Sequence, residues 1–321
     1  MPGISLGLQA GDLPCGVASE ASAGQRVLVW PIGRSVFRAA PESGARLLAW
    51  EYRRADGSLR PIIYRGNESA NGNPAQVRGG IPVLFPFAGP SETNGRKLAW
   101  RDAHGVVRPM PMHGLARQGQ FALTELRQDG FRAEFRPGPE AQEAYPFRYT
   151  FAVDYRFTED RLLCELELKN EGDEPLPWSA GLHPYFSVPW QTGRTWDDYE
   201  IMIPATLSWR RSGATLVPGP EPVFPGVLSD AALRTTFWSG LTAPDITFGP
   251  AAGKERIRLK LGPDLGALPS AAVILWTEKE AAPFFCVEPF MGPSNAAEHG
   301  RGLHVVPPGG REVFRVEIRM E

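Results

Sequence analysis

The sequence predicts an all-β protein built on one large antiparallel β-sandwich with little helix. Apolar and polar residues alternate strictly in several segments, as is typical of strands with one buried face. The 321 residues include 35 glycines and 32 prolines, and no amphipathic pattern of period 3.6 extends beyond a turn or two. Little of the chain is therefore left for helices.

Four segments carry the strand signal. The clearest covers residues 147–157, in which every second residue is aromatic or valine. Segments 164–169, 257–261 and 314–320 repeat the pattern, with charged residues between apolar ones. We expect each of them to bury one face and to expose the other.

Short turns connect neighbouring strands. Asp129-Gly130 separates two apolar segments, which is typical of a hairpin whose turn needs positive φ. Residues 170–175, Asn-Glu-Gly-Asp-Glu-Pro, predict a second turn. The proline-rich residues 217–226 resemble a linker, but the similar patterns on their two sides predict a long surface loop within one domain.

Charge, cysteine content and the N-terminal residues argue against several classes of protein. The 34 basic and 36 acidic residues are interspersed and give a formal net charge of −2, so a nucleic acid partner is not expected. The three cysteines lack the paired spacing of a disulfide framework or a zinc site, which fits a reducing compartment. Neither a secretory signal nor a membrane-spanning stretch is visible, and we expect a cytoplasmic protein without membrane contact.

Four segments interrupt the alternation in surroundings rich in glycine and proline, where functional residues are often found. In the first, Arg78 can clamp an anion or donate to sugar hydroxyls, although a buried strand between tight turns explains the segment equally. In the second, His113 and Arg117 can face one pocket, although a histidine beside glycine is more often structural. The segments are residues 78–90, 110–117, 179–186 and 284–292.

The other two segments contain a possible acid–base pair. Pro184 fixes the backbone beyond His183, which favours a positioned proton donor, although a structural role is as well supported by this segment alone. Glu288 lies in an apolar run, where burial lifts its pKa from about 4.3 toward the range of a general base. The alternative is a carboxylate tied to a neighbouring arginine. The five histidines show no spacing typical of a metal site, and a Gly-x-Ser-x-Gly elbow is absent from the sequence.

Together, and in this order, the segments resemble the aldose 1-epimerase superfamily, from about residue 25 to the C-terminus. The resemblance implies a galactose mutarotase-like β-sandwich over residues 1–321, with a poorly defined extension at 1–24. The matching motifs are Arg-Gly-Gly-Ile-Pro at 78–82, His-Gly-Leu-Ala-Arg at 113–117, His-Pro-Tyr-Phe at 183–186 and Cys-Val-Glu-Pro at 286–289.

The resemblance also implies roles for single residues. His183 matches the family's general acid and Glu288 its general base. His113 matches a histidine that contacts the sugar, and Asp245 lies where these enzymes place a hydroxyl-binding aspartate. Trp178, together with Tyr185 and Phe290, is a candidate for an apolar platform under the sugar, although core packing explains these three aromatic residues equally.

Two arginines bear on the choice of substrate. Arg78 and Arg117 lie in motifs closer to the hexose-6-phosphate epimerase branch, where arginines hold the phosphate. His-Pro-Tyr-Phe at 183–186 is more typical of the free-sugar branches. The expected substrate is therefore a small sugar or sugar phosphate.

The function implied is interconversion of α and β anomers of a hexose, without metal or organic cofactor, by a monomer or weak homodimer. A hexose-6-phosphate 1-epimerase and a catalytically silent carbohydrate-binding protein on the same fold remain alternatives. A glycoside hydrolase or lyase on a related sandwich is a third. A hydrolase needs two carboxylates at one bond, and Asp245 with Glu288 can supply them if their separation is suitable.

Overall fold

Strands dominate the structure, a computed structural model that describes residues 13–22, 25–66, 77–266 and 268–321. In these ranges the α-helices are α1 (Pro139–Ala144) and α2 (Ala296–His299). Single 3₁₀ turns occupy Ala116–Gln118, Trp196–Asp198 and Ala231–Leu233. The low helix content expected from glycine and proline is confirmed, and no described helix is long and apolar enough to cross a membrane.

Two large sheets, with strands numbered along the chain, form the architecture. Eleven described strands of the larger sheet follow one another in the order β1 (Ala18–Ser22), β2 (Gln25–Ile32), β3 (Ser35–Ala40), β4 (Arg46–Arg53), β5 (Leu59–Ile63), β17 (Tyr185–Ser187), β26 (Phe284–Phe290), β25 (Ala272–Trp276), β22 (Phe237–Ser239), β19 (Leu207–Ser212) and β20 (Thr215–Pro218). Beside this path, β16 (Gly181–Leu182) pairs with β26 and with β6 (Val83–Leu84).

The second sheet has nine described strands, and three two-stranded ribbons complete the fold. The nine strands are, in order, β11 (Gln120–Arg127), β12 (Gly130–Arg136), β13 (Tyr149–Phe157), β14 (Arg161–Asn170), β28 (Arg311–Met320), β24 (Ile257–Gly262), β23 (Asp245–Pro250), β18 (Tyr199–Met202) and β21 (Gly226–Val227). The ribbons are β7 (Glu92–Thr93) with β8 (Arg96–Lys97), β9 (Ala99–Arg101) with β10 (Val107–Pro109), and β15 (Leu176–Trp178) with β27 (His304–Val306).

The core lies between the two sheets, where aromatic rings from opposite layers meet. Trp30 of β2 stacks on Phe131 of β12, with ring centroids 5.6 Å apart. Phe37 of β3 stacks on Phe157 of β13, with centroids 4.5 Å apart and planes 8° from parallel. Offset and edge contacts of this kind stabilise a core beyond the burial of area. The predicted antiparallel β-sandwich is confirmed.

The four alternating segments form β13, β14, β24 and β28, as predicted. In β14, buried and more exposed residues alternate along most of the strand. In β13, Asp154 departs from this rule because Arg127 and Arg132 cover it with ion pairs at 2.5 and 4.0 Å. A residue expected on the solvent face is therefore almost buried.

Both predicted turns connect strands that follow each other in the sequence, and the proline-rich segment crosses between sheets. Gly130 opens β12 with φ +152°, and a Cβ there would strike the carbonyl oxygen of Tyr155. Residues 171–175 join β14 to β15. The segment 217–226 begins inside β20, at the edge of the larger sheet, and ends at β21 in the other. It was predicted as loop throughout, but its ends form short edge strands.

Candidate active site

The register of three strands places His183 opposite Glu288. Residue 183 lies in the break between β16 and β17, and both strands pair antiparallel with β26. The flanking pairs are Gly181 with Phe290 and Tyr185 with Cys286. Antiparallel pairing at both ends of the break leaves 183 and 288 facing each other across adjacent strands. Residues far apart in sequence are thus brought to one point.

These two side chains form a buried pair. Nε2 of His183 lies 3.3 Å from Oε1 of Glu288, and the residues are 6% and 3% exposed. Burial raises the pKa of Glu288 well above its ordinary value, and the charge of Arg117 opposes that shift. Burial lowers the pKa of His183, and the nearby His113 and Arg117 lower it further. Both groups therefore favour their neutral forms while remaining close enough to share a proton.

Aromatic neighbours hold the ring of His183 in place. Tyr185 stacks on it with centroids 4.6 Å apart and planes 9° from parallel, and Trp276 meets it edge-on at 5.7 Å. The amide of His183 donates to the carbonyl of Pro82 at 3.1 Å. Nδ1 is buried without a hydrogen-bond partner among the described residues. The imidazole is fixed by packing, and its Nε2 edge faces Glu288.

His113 is held as a neutral hydrogen-bond donor. Its backbone is left-handed, with φ +67°, and that of Gly114 is left-handed as well, with φ +79°. Position 114 requires glycine, because a Cβ there would strike the carbonyl of Phe85. The amide of Gly89 donates to Nδ1 of His113 at 3.2 Å, so in the neutral ring the proton lies on Nε2. Burial and Arg117 lower the pKa of His113 to about 3. Its ring centroid is 5.3 Å from that of His183.

The two predicted arginines differ in their surroundings. Arg117 belongs to the 3₁₀ turn Ala116–Gln118, and burial lowers its pKa while Tyr185 and Glu288 oppose that shift. Arg78 is about half exposed, forms an ion pair with Glu278, and lies 5.8 Å from the ring centroid of Trp276. Arg117 is therefore coupled to the buried pair, whereas Arg78 lies at the rim.

These residues share one pocket of about 540 Å³, within the range that small-molecule sites occupy. Glu288 is the one carboxylate among the described residues that line it. Sequence reasoning missed several of the others, which sit in strands or turns that read as core or surface. These are Arg211, Thr235, Phe237, Ile274, Trp276 and Ser294, whereas the lining residues Gly89, Pro90 and Met112 belong to the segments 78–90 and 110–117 that the sequence singled out.

Two of the missed residues add binding groups. Trp276 ends the apolar strand β25, so its sequence context indicates core packing, yet its ring borders His183. Ser294 keeps a buried Oγ without a hydrogen-bond partner among the described residues. An aromatic face and a free hydroxyl suit the apolar and polar sides of a sugar ring.

Asp245 and Trp178 do not line this pocket. Asp245 lies in β23 of the second sheet, with ion pairs to Arg258 at 3.0 Å and Lys260 at 3.7 Å. Trp178 is fully buried and donates Nε1–H to Glu312 at 2.7 Å. Of the three aromatic residues considered for a platform, Tyr185 and Phe290 line the pocket and Trp178 does not, and the pocket contains Trp276 as a further aromatic residue.

The glycines of residues 78–82 serve the packing of the chain. A Cβ on Gly79 would strike the carbonyl of Arg65, and one on Gly80 would strike that of Leu47. Neither glycine lines the pocket. Their small size allows close contact with the protein's own backbone.

Cys286 completes a group that could hold a metal. Its Sγ, a ring nitrogen of His183 and a carboxylate oxygen of Glu288 all lie within 4.8 Å of one another, the one such group among the described residues. This group was not predicted from the sequence, because the strand register brings the three residues together. The burial that raises the pKa of Cys286 opposes formation of the thiolate that a metal prefers.

A larger pocket, of about 810 Å³, contains a different histidine–glutamate pair. Nε2 of His104 lies 3.2 Å from Oε2 of Glu174, but these side chains are 65% and 59% exposed. Water reaches both groups, so this pair does not form an enclosed site. The buried pair is the better candidate for chemistry.

Comparison with known proteins identifies the family of the chain. The family model described as aldose 1-epimerase matches residues 37–219, more than half of the chain. The chromosomal LacX protein of Lactococcus lactis subsp. lactis is 23% identical over 252 residues, which cover 73% of this chain and 81% of that protein. An Escherichia coli protein named "Putative glucose-6-phosphate 1-epimerase" is 25% identical over 149 residues, 45% of this chain and 43% of that protein.

A solved structure shows the same fold. The galactose mutarotase related enzyme from Lactobacillus acidophilus superposes with a TM-score of 0.75 at 18% identity, covering 92% of this chain and 97% of that one. The predicted galactose mutarotase-like sandwich is confirmed. Because the family model matches more than half of the chain, the chain belongs to the aldose 1-epimerase family, a family of sugar isomerases.

Proposed function

We propose that this protein is an aldose 1-epimerase that interconverts the α and β anomers of a hexose, with Glu288 as general base and His183 as general acid. One observation carries the proposal: the two side chains lie 3.3 Å apart at the bottom of the pocket. Ring opening needs one proton removed from the C1 hydroxyl and one delivered to the ring oxygen. Both oxygens are bonded to C1, so acid and base must lie side by side.

The reaction conserves its protons within the pair. Glu288 as carboxylate accepts the proton of the C1 hydroxyl, the bond from C1 to the ring oxygen breaks, and the imidazolium of His183 protonates that oxygen. An open-chain aldehyde results, with Glu288 protonated and His183 neutral. Rotation about C1–C2 and closure with the roles reversed give the other anomer.

Burial favours the intermediate state of the pair. The open-chain step leaves both side chains uncharged, and the low polarity around them disfavours charge on either one. Part of the cost of opening the ring is thereby offset by the loss of two buried charges. The same environment excludes water that would compete for the proton.

The remaining pocket residues bind and orient the sugar in this proposal. His113 presents Nε2–H, and Arg117 and Ser294 offer donors to hydroxyl groups. Trp276 and Tyr185 supply aromatic surface to the apolar face of the ring. Asp245 has no part in the proposed site because it pairs with Arg258 on the other sheet.

A hexose 6-phosphate 1-epimerase is the second candidate. It is supported by the printed name of the Escherichia coli relative and by the presence of Arg78, Arg117 and Arg211 in the pocket. A glycoside hydrolase is disfavoured, since the usual mechanism needs two carboxylates and Glu288 is the one carboxylate among the described lining residues.

The test replaces the proposed base. Glu288→Gln keeps the shape of the side chain and should lower the enzyme-catalysed rate of anomer exchange at least a hundredfold, the scale of acid–base assistance. Exchange is followed by polarimetry or exchange NMR on glucose and galactose. Glu312→Gln is the matched control, because Glu312 also contacts a histidine, with Oε1 2.6 Å from Nδ1 of His304, outside the pocket.

Two results would speak against the proposal. A Glu288→Gln variant as fast as the parent would remove Glu288 from the mechanism. A parent protein that binds sugar without accelerating exchange would favour the catalytically silent, carbohydrate-binding alternative.

A further inference from the structure

The arginines at the edge of the pocket already face carboxylates. Arg78 is paired with Glu278, which lies just beyond β25 and is about half exposed. Arg211 donates Nη2–H to Oε2 of Glu92 at 3.1 Å and Nη1–H to the carbonyl of Pro90 at 3.0 Å. Two of the three arginines that line the pocket therefore have an anionic partner from the protein itself.

The third arginine interacts with the proposed base. Arg117 lowers the pKa of Glu288, and Glu288 raises that of Arg117. When Glu288 is ionised, the three arginines are balanced by Glu278, Glu92 and Glu288. With the proton that His183 holds in this state, the site carries one excess positive charge. A phosphate dianion that enters it is therefore only partly balanced, and it must displace a carboxylate to form a bidentate contact with Arg78.

An uncharged sugar does not meet this obstacle. Its hydroxyls can accept from guanidinium N–H groups that keep their carboxylate partners, so no ion pair has to break. Arg78 also lies over the ring of Trp276, with its guanidinium carbon 5.8 Å from the centroid, and this contact further holds it at the rim. The arrangement at residues 78, 276 and 278 suits a neutral ligand.

We propose that Glu278 is a specificity-determining residue, which occupies the anion position beside Arg78 and directs the pocket toward uncharged sugars and away from sugar phosphates. This inference rests on the proposed epimerase function and specifies its substrate class. Water screens a half-exposed pair, so the expected discrimination is moderate, and it should weaken as ionic strength rises.

The experiment compares glucose with glucose 6-phosphate in the full-length protein. Glu278→Gln should raise the ratio of kcat/KM for glucose 6-phosphate to kcat/KM for glucose by about threefold to tenfold, the scale of removing one charge at a half-exposed site from a dianion. Arg78→Gln in the Glu278→Gln background should abolish the gain, because the freed guanidinium is its source.

A matched control separates the local effect from net charge. Glu159→Gln removes the same charge and breaks an exposed ion pair with Arg34 at 2.8 Å, outside the pocket. It should leave the ratio unchanged. Calorimetry gives the dissociation constants of both sugars, and in Glu278→Gln their ratio should also shift in favour of glucose 6-phosphate. The charge preference is therefore tested even if the chain only binds sugar.

The inference and the proposed function fail in different ways. A parent protein that prefers glucose 6-phosphate, a ratio unaffected by Glu278→Gln, or an equal gain in Glu159→Gln would overturn the role of Glu278. Absence of catalysed exchange with either sugar would overturn the epimerase function, while the binding preference would still decide the role of Glu278.

Discussion

The rate of anomer exchange should stay nearly constant from pH 6.0 to pH 7.5, because the acid–base pair is buried. In the proposed mechanism, His183 and Glu288 must hold one proton between them. A histidine with its ordinary pKa of 6.5, beside a glutamate that is already ionised, would be the last of the two to lose its proton. At pH 7.5 only about a tenth of such pairs would still hold one proton, so the rate would fall roughly tenfold.

Burial reverses the order in which the two groups titrate. The pKa of Glu288 is raised and that of His183 is lowered, so the proton that persists to high pH lies on the carboxyl. Contact at 3.3 Å also helps the pair to retain one proton, since a negative carboxylate would in turn favour a protonated imidazole. Burial and contact thus both act to keep one proton on the pair to a higher pH than an ordinary glutamate would hold it. Each pH unit by which the plateau is extended corresponds to about 1.36 kcal/mol of stabilisation of the singly protonated pair.

The assay is kcat/KM for glucose between pH 5.5 and 8.5, which reports the ionisation of the free protein. The exchange rate in protein-free buffer is subtracted at each pH, and circular dichroism checks that the fold is retained. We expect a change of less than about twofold between pH 6.0 and 7.5. A tenfold fall over that interval, with the fold intact, would refute the assignment of the proton to a buried pair.

Three further predictions follow from single contacts. His113→Leu removes the Nε2–H donor and should raise KM about tenfold with little change in kcat; a large loss of kcat at constant KM would instead implicate His113 in proton transfer. Asp245→Asn should change KM by less than about twofold, and a tenfold rise would return Asp245 to the sugar site. Gly130→Ala should lower the free energy of unfolding by about 1–3 kcal/mol in urea titration, since its Cβ would strike the carbonyl of Tyr155. Gly138→Ala, which meets open space, should cost about 0.5 kcal/mol or less, and equal losses in the two variants would contradict the steric argument.

The strands that bury one face and expose the other to solvent were predicted from the sequence. Strands β14, β24 and β28 alternate because their outer residues reach solvent, and hydrophobic periodicity reports this directly. Strand β26 is different, since all seven of its residues are buried. A continuous apolar run shows no alternation from which a strand can be predicted, and Glu288 was selected only because it is an isolated charge within that run.

The pairing of strands could not be read from the sequence. Register determines that His183 faces Glu288 and that Cys286 and Trp276 lie beside them, and register depends on contacts between distant segments. His183 and Glu288 were assigned to one site because motifs matched a family. Trp276 matched no quoted motif and was missed.

Asp245 shows the limit of such a transfer. It lies in β23 opposite Lys260 of β24, and Arg258 on the same strand approaches it at 3.0 Å. A carboxylate between two cross-strand cations is well explained as part of the sheet surface. Few flanking residues fixed its alignment with the family, and the pattern of alternating charge in 257–261 already contained its partners.

Arg117 resolves a conflict within the buried pair. Burial alone would keep Glu288 protonated, and a protonated carboxyl cannot accept the proton of the C1 hydroxyl. The charge of Arg117 lowers the pKa of Glu288 and so reduces the free energy needed to ionise it. The same charge makes the imidazolium of His183 less favourable, which strengthens it as an acid once it is formed. Its contact with the ionised Glu288 at 3.3 Å stabilises that imidazolium in return. A single cation beside the pair therefore helps to form the carboxylate that accepts the C1 proton, and it favours release of the imidazolium proton to the ring oxygen.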